Sequence, residues 1–434
     1  MSALFPRGPG LPSVARAHGC WIIDSEGNRY LDAASGALVV NVGHADSRVM
    51  SAITQQMAAV SYVHASAFTS TIGERYADAL ATRLPMDDTV IYPVSGGSEA
   101  VETALKATRS FYLAQGEPER TIVIGRELSY HGNTLGALDV SGRVGLRAPY
   151  LPWLHRAERV PGVLEYRCPN PMHPHHCARW HASRLEETIE ELGPERVAGF
   201  IAEPVGGAAS GAAIPPEGYW RAVRAVCDRF GVLLIADEVM TGFGRTGRWF
   251  ASEHFELRPD IMTLAKGASS GYWPLGICAI SGRVALALAD GGFTHGFTFS
   301  HHPVGAAAGM AVLQRIDELR LVTAAETRGA RLIAMLRDSV GGHDKVGDIR
   351  GLGLLIAVEL VEDRDTKRPF PVEAGIAGRL ALEARRQGLL VYPSRGTAGG
   401  GRGDVILVGP PLIVSLSELD ELVSKFRRAL GQLG

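Results

Sequence analysis

The sequence predicts an α/β fold, with a mostly parallel central sheet in a large domain and a smaller α+β domain beside it. Three observations carry this. Short strand-like runs such as VAGFIA and VLLIAD are continuously apolar rather than alternating, the pattern of a sheet covered by helices on both faces. Between Val90 and Lys266 those runs alternate with segments of helical periodicity. From about Leu313 the pattern changes to long amphipathic helices flanking LGLLIAVEL and DVILVG.

The elements follow in order. CWIIDSEGNRYLDA, Cys20 to Ala33, reads as a hairpin turning at Glu26-Gly27-Asn28. VIYPV (Val90–Val94) is a strand, and the helix after it places Val101, Ala104, Leu105, Thr108, Phe111 and Tyr112 on one face before Gly116 stops it. Thr121–Gly125 is the next strand, and VAGFIAEP gives another that ends at Glu203. A helix from Tyr219 to Phe230 carries Trp220, Val223, Val226 and Phe230 on one face and ends at Gly231. VLLIAD is a strand ending at Asp237, and DIMTLAK one ending at Lys266. Helices over Leu313–Ser339 and Val372–Gln387 complete the reading. The expected division is an N-terminal segment (1–50) joining the small domain, a large domain (51–312) and a C-terminal small domain (313–434).

Composition narrows the function classes. The chain has 434 residues, 46% of them hydrophobic, enough for a large core. Lys plus Arg is 44 and Asp plus Glu is 46, a formal charge of −2, so no single-sign field favours nucleic acid or anionic lipid. The apolar runs are too short to span a bilayer, and the N-terminus lacks a signal-peptide core. Five scattered cysteines form no disulfide framework, so a reducing cytoplasm is expected.

LLIADEVMTGFGRTG, Leu233 to Gly247, contains G-x-G-x-x-G at Gly242, Gly244 and Gly247. A dinucleotide fingerprint starts directly at a strand end and meets an acid at the end of the next strand. Here Gly242 comes five positions after Asp237, the strand end, and Lys266 stands where the acid should be. The glycines therefore read as a loop with unusual backbone angles. The strand ends are more informative, because ligands of open parallel sheets sit outside the carboxyl ends of the strands. Glu203, Asp237 and Lys266 all stand there. A Lys and an Asp on neighbouring strand ends suit pyridoxal phosphate, the amine forming a Schiff base and the carboxylate holding the pyridine nitrogen protonated. A buried salt bridge is the alternative for these two residues. SGGSEA, Ser95 to Ala100, lies between a strand and a helix, where backbone N–H groups suit a phosphate; an ordinary turn is the alternative.

With these residues in hand, the ordered set SGGSEA, Tyr130-His131-Gly132, Glu203-Pro204, Asp237-Glu238-Val239, TGFGRTG, Lys266-Gly267, HGFTFSHHP and GPPL resembles the class III (omega-type) pyridoxal-phosphate aminotransferases, from about Gly19 to Leu412. The resemblance implies the fold type I aminotransferase fold and a homodimer with shared active sites. It implies that Lys266 holds the cofactor and then shuttles a proton, that Asp237 pairs with the pyridinium nitrogen, and that Tyr130 and Val239 wall the ring. It also implies that the Gly97 and Ser98 backbone binds the phosphate and that Thr298 reaches it from the other subunit. His131 and Glu203 join the expected cofactor-binding set.

The implied reaction moves an amino group from an amine or non-α-amino acid donor to a keto acid such as pyruvate. An aminomutase, racemase or decarboxylase on the same fold would use the same residues. Two departures bear on substrate. Leu407 stands where many relatives carry an arginine, leaving Arg402 in the glycine-rich loop 396–403, expected to be mobile, as the candidate carboxylate ligand. Leu38 stands where several relatives carry tryptophan, which predicts a wider pocket. The segment YRCPNPMHPHHCARWH offers Cys-x4-His and Cys-x3-His spacings. It lacks Cys-x2-Cys, and the expectation is a surface loop near the pocket entrance with no metal assigned.

Overall fold

The computed structural model describes Phe5, residues 10–155 and residues 157–433. Residues 1–4 and 6–9 of the expected N-terminal segment, and Gly434, lie outside the described residues.

Among the described residues a seven-stranded sheet forms the centre. Its spatial order is Val90–Val94, Gly276–Ile280, Ile261–Leu264, Leu233–Asp237, Val197–Ala202, Ile122–Arg126 and Arg159–Val160. The last five run parallel. Gly276–Ile280 is antiparallel to both its neighbours. GICAI is a strand the sequence reading missed; it follows Trp273-Pro274 and has no helical segment before it to mark a crossover. The continuously apolar strands are covered on both faces. Leu233 and Ile235 pack with Val101, Ala104 and Phe111 of the Gly97–Ala114 helix. Leu234 and Ala236 pack with Trp220 and Val223 of the Tyr219–Phe230 helix. Period-two alternation thus feeds two apolar layers, and each fully buried aliphatic side chain contributes about 1.5–3 kcal/mol.

Two four-stranded sheets lie outside this centre. In one, the predicted hairpin forms from Trp21–Asp24 and Arg29–Asp32. Its second strand pairs in parallel with Leu389–Leu390. In the other, Val346–Leu352, Leu355–Leu360, Asp404–Val408 and Tyr392–Arg395 are antiparallel neighbours. LGLLIAVEL is therefore not one strand: it turns at Gly353, whose φ of 54° serves the turn.

Further boundaries differ from the sequence reading. The helix expected over Leu313–Ser339 is two, Pro303–Glu318 and Leu321–Val340, broken at Arg320 with φ 50°. The apolar stripe runs on through that break, so periodicity alone did not reveal it. Val372–Gln387 resolves into a 3-10 turn at Val372–Ala374, a left-handed Gly375 and a helix over Ile376–Arg386.

Candidate active site

A cavity of about 410 Å³ opens at the carboxyl ends of the parallel strands. Eight residues expected at the site line it: Gly97, Ser98, Tyr130, His131, Glu203, Asp237, Val239 and Lys266. Each arrives by a different route. Asp237 is the last residue of its strand, and Glu203 follows the end of Val197–Ala202. Lys266 does not end a strand as expected. The strand stops at Leu264, and Lys266 opens a 3-10 turn with φ 46°. Gly97 and Ser98 open the Gly97–Ala114 helix after an extended Gly96, so their N–H groups have no helical partner and point out of the helix start.

The charges are held by specific contacts. Asp237 Oδ2 lies 2.6 Å from His131 Nδ1, both side chains buried. Asp237 Oδ1 accepts the Val239 N–H at 3.0 Å. His131 is fixed in turn by its own N–H, which donates to Ser141 Oγ at 2.8 Å. Glu203 Oε1 accepts the Gly207 N–H at 3.3 Å, while Oε2 has no hydrogen-bond partner among the described residues. Arg126 stands 3.8 Å from it, too far for a hydrogen bond. Burial raises the Glu203 carboxyl above its usual range, against the pull of His131 and Arg126. Burial also lowers the Lys266 ammonium from 10.5 to about 8, partly offset by the Asp237 and Glu203 carboxylates.

Glu238 faces away from the cavity. It accepts the Ala251 N–H at 2.9 Å, the Ser252 N–H at 2.6 Å and the Ser252 hydroxyl at 2.8 Å, with Thr241 as a fourth donor. The Asp-Glu pair thus divides into one acid for the cavity and one that closes a turn. The glycine loop that follows is no helix start. Phe243, Gly244 and Gly247 all have positive φ, and the loop sends Arg245 into the interior. Arg245 donates to the Pro410 carbonyl at 2.6 Å and to Asn41 Oδ1 at 2.7 Å, and burial lowers it to about 9. The sequence reading passed over Arg245, whose signal was a lone cation between glycines. It also missed Trp273, which lines the cavity and was visible only as an aromatic seven residues after Lys266.

Three expected residues do not line the cavity. Thr298 is exposed, and its carbonyl accepts the Tyr62 hydroxyl at 2.8 Å. Arg402 is exposed on the loop between Tyr392–Arg395 and Asp404–Val408, a loop closed by Gly396 N–H to the Gly403 carbonyl at 2.9 Å. Leu38 was expected as a pocket wall, but Val39 takes that place. With φ 58°, Leu38 turns inward and packs with Leu407 behind Val205 and Ala208, which do line the cavity. It therefore shapes the wall from behind. The Cys168–His181 segment does not border this cavity either.

The residues fit pyridoxal phosphate. Unpaired helix N–H groups suit its phosphate, the unpartnered Glu203 Oε2 and His131 Nε2 leave polar capacity at the cavity, and Lys266 shares the space with Asp237. Comparison with known proteins agrees. The family model Aminotransferase class-III matches residues 7–430. The uncharacterized aminotransferase YodT of Bacillus subtilis is 38% identical over 420 residues, covering 96% of this chain and 94% of that protein. The putrescine–pyruvate aminotransferase of Pseudomonas aeruginosa is 33% identical, covering 98% and 91%. An amine transaminase from an uncultivated Pseudomonas species, solved in a PLP-bound form, superposes with a TM-score of 0.93 at 35% identity, covering 100% of this chain and 98% of that one. The chain belongs to the class III aminotransferases, with their fold type I architecture, and is a pyridoxal-phosphate-dependent transaminase.

Proposed function

We propose that this transaminase takes its nitrogen from amines or non-α-amino acids and passes it to a keto acid such as pyruvate. The convergence of Lys266, Asp237 and the Gly97–Ser98 helix start in one cavity carries the catalytic reading. Bound there, pyridoxal phosphate supplies an electrophilic carbon for the amine and a ring that accepts electrons. Lys266 Nζ takes a proton from the substrate carbon and returns it, as general base and then acid. Asp237, oriented by His131 and the Val239 N–H, pairs with a protonated ring nitrogen. Tyr130 and Val239 form the two walls and exclude water, and the Gly97 and Ser98 N–H groups hold the phosphate.

The donor preference is supported by the cavity edge. Leu38, Leu407, Val205 and Ala208 form one apolar cluster behind the wall, and among the described residues that line the cavity Lys266 is the one Lys or Arg, so no lining arginine clamps an α-carboxylate. Arg402 serves as the mobile carboxylate ligand when the acid substrate binds. Two further readings go with this one. The protein works as a homodimer in the cytoplasm, with Thr298 completing the phosphate site of the partner subunit. Exposed Phe299 and Tyr62, which meet edge to face beside Thr298, supply apolar surface there. No disulfide joins the described cysteines, in keeping with a reducing compartment. The joining of the N-terminal segment (1–50) to the C-terminal small domain is supported by the pairing of Arg29–Asp32 with Leu389–Leu390, while residues 50 and 312 themselves fall within the helices Ser47–Ala59 and Pro303–Glu318.

A donor panel run against pyruvate and against 2-oxoglutarate tests the substrate reading. Amine donors with pyruvate should give the higher kcat/KM. Turnover confined to α-amino acids with 2-oxoglutarate would refute it.

A further inference from the structure

We propose that Cys168, His173, Cys177 and His181 form a structural zinc site. This is independent of the active-site reading, since none of the four borders the cavity.

The chain path builds the site. Cys177 opens the Cys177–Leu192 helix, so Cys177 and His181 lie one turn apart on the same face. The turns between Cys168 and Cys177 fold back and bring Cys168 and His173 over that face. Cys168 Sγ lies 3.6 Å from Cys177 Sγ and 3.5 Å from His181 Nε2. His173 Nδ1 lies 3.2 Å from Cys177 Sγ. The donor atoms of Cys168, His173 and Cys177 all fall within 4.8 Å of one another. Zinc bonds of about 2.3 Å to sulfur and 2.0–2.1 Å to nitrogen give tetrahedral edges of about 3.4–3.8 Å. The three separations of 3.2–3.6 Å are close to those edges; His181, outside the three-residue group, approaches it at Cys168 and would complete the set by a small shift of its ring. A disulfide needs about 2.05 Å between the sulfurs, far less than 3.6 Å.

The surroundings suit thiolate ligands. Buried Asn170 directs its side-chain Nδ2 to Cys177 Sγ at 3.5 Å and its backbone N–H to Cys168. Such outer contacts orient metal ligands. Two thiolates and two neutral imidazoles balance a divalent cation, so a half-buried site carries no net charge.

The site also has something to anchor. Arg167, next to Cys168, donates to Glu359 Oε1 at 2.5 Å. Buried Glu359 also takes Arg350 at 2.7 Å and the Thr397 hydroxyl at 3.2 Å. Thr397 belongs to the loop that bears Arg402. Zinc would thus pin the insertion to the Leu355–Leu360 strand and, through Glu359, to that loop.

The test is metal analysis of the full-length holoenzyme purified with thiols reduced and no chelator. We expect one zinc ion per chain, lost in Cys168→Ser and in His181→Ala but kept in His175→Ala and His176→Ala. Wild-type protein grown on cobalt should show thiolate-to-cobalt charge transfer and tetrahedral ligand-field bands, a readout that needs no variant to fold. Removing the metal should lower Tm by several degrees. Reduced wild-type protein that holds neither zinc nor cobalt would overturn the proposal. So would zinc retained by both ligand variants, or a Cys168–Cys177 disulfide in protein isolated under reducing conditions.

Discussion

Lys266 shows how far a single residue is set by its surroundings. Its ordinary ammonium value is 10.5, and burial brings it to about 8. Only the neutral amine is nucleophilic, so a lower value delivers more of it near neutral pH. The rate at which apoenzyme captures pyridoxal phosphate should rise with pH and level off just above 8, as followed by absorbance after mixing. A rise that continues to 10.5 would show an unperturbed lysine. Asp237 and Glu203 both raise this value. Asp237→Asn should therefore move the profile to lower pH, while cutting kcat by roughly a hundredfold or more, the scale of a positioned acid–base partner. Asp237 was legible in the sequence as the last residue of its strand, whereas Lys266, also read as a strand end, stands two residues beyond Leu264, where the turn that follows the strand brings it to the same cavity. Their contacts were not legible. The His131–Asp237 pair joins residues 106 positions apart.

Among the elements, the loop carrying Tyr130 and His131 depends on Gly132. It has φ 144°, and a Cβ there would lie 2.6 Å from Ser98 Oγ and 3.0 Å from Ser98 Cα. Gly132→Ala would force that loop away from the helix start at Gly97. Backbone strain of this kind costs about 1–3 kcal/mol. Equilibrium dialysis should show cofactor affinity weakened by roughly tenfold, the equivalent of about 1.4 kcal/mol. Unchanged affinity would mean that the loop can shift without cost. Elements with strong periodicity, such as the Tyr219–Phe230 helix, were legible to their ends because Gly231 stops the helix in the left-handed region. The break at Arg320 and the antiparallel Gly276–Ile280 were not, since tertiary packing rather than local pattern decides them. Leu38 is a similar case: its φ of 58° reverses the direction that an extended chain would give it.

For the whole molecule, the proposed dimer makes activity depend on concentration. Exposed Thr298 is not among the described residues that line its own cavity. Dilution through the dimer dissociation range should lower specific activity and release cofactor in parallel with the loss of dimer by mass photometry. Full activity in a monomer would contradict shared sites. An interface of this kind is the least legible feature in one chain's sequence, because its complementarity lies in a second copy. The two apolar layers of the central sheet, by contrast, follow directly from uninterrupted hydrophobic strands.

The central claim is that Lys266 is the residue that holds pyridoxal phosphate. Borohydride reduction of the purified protein, followed by peptide mass mapping, tests it most directly. The account predicts a single reduced phosphopyridoxyl adduct on Lys266, absent from Lys266→Ala, which should also lose at least about a thousandfold in kcat. An adduct on another lysine, or none on protein that transaminates, would contradict it.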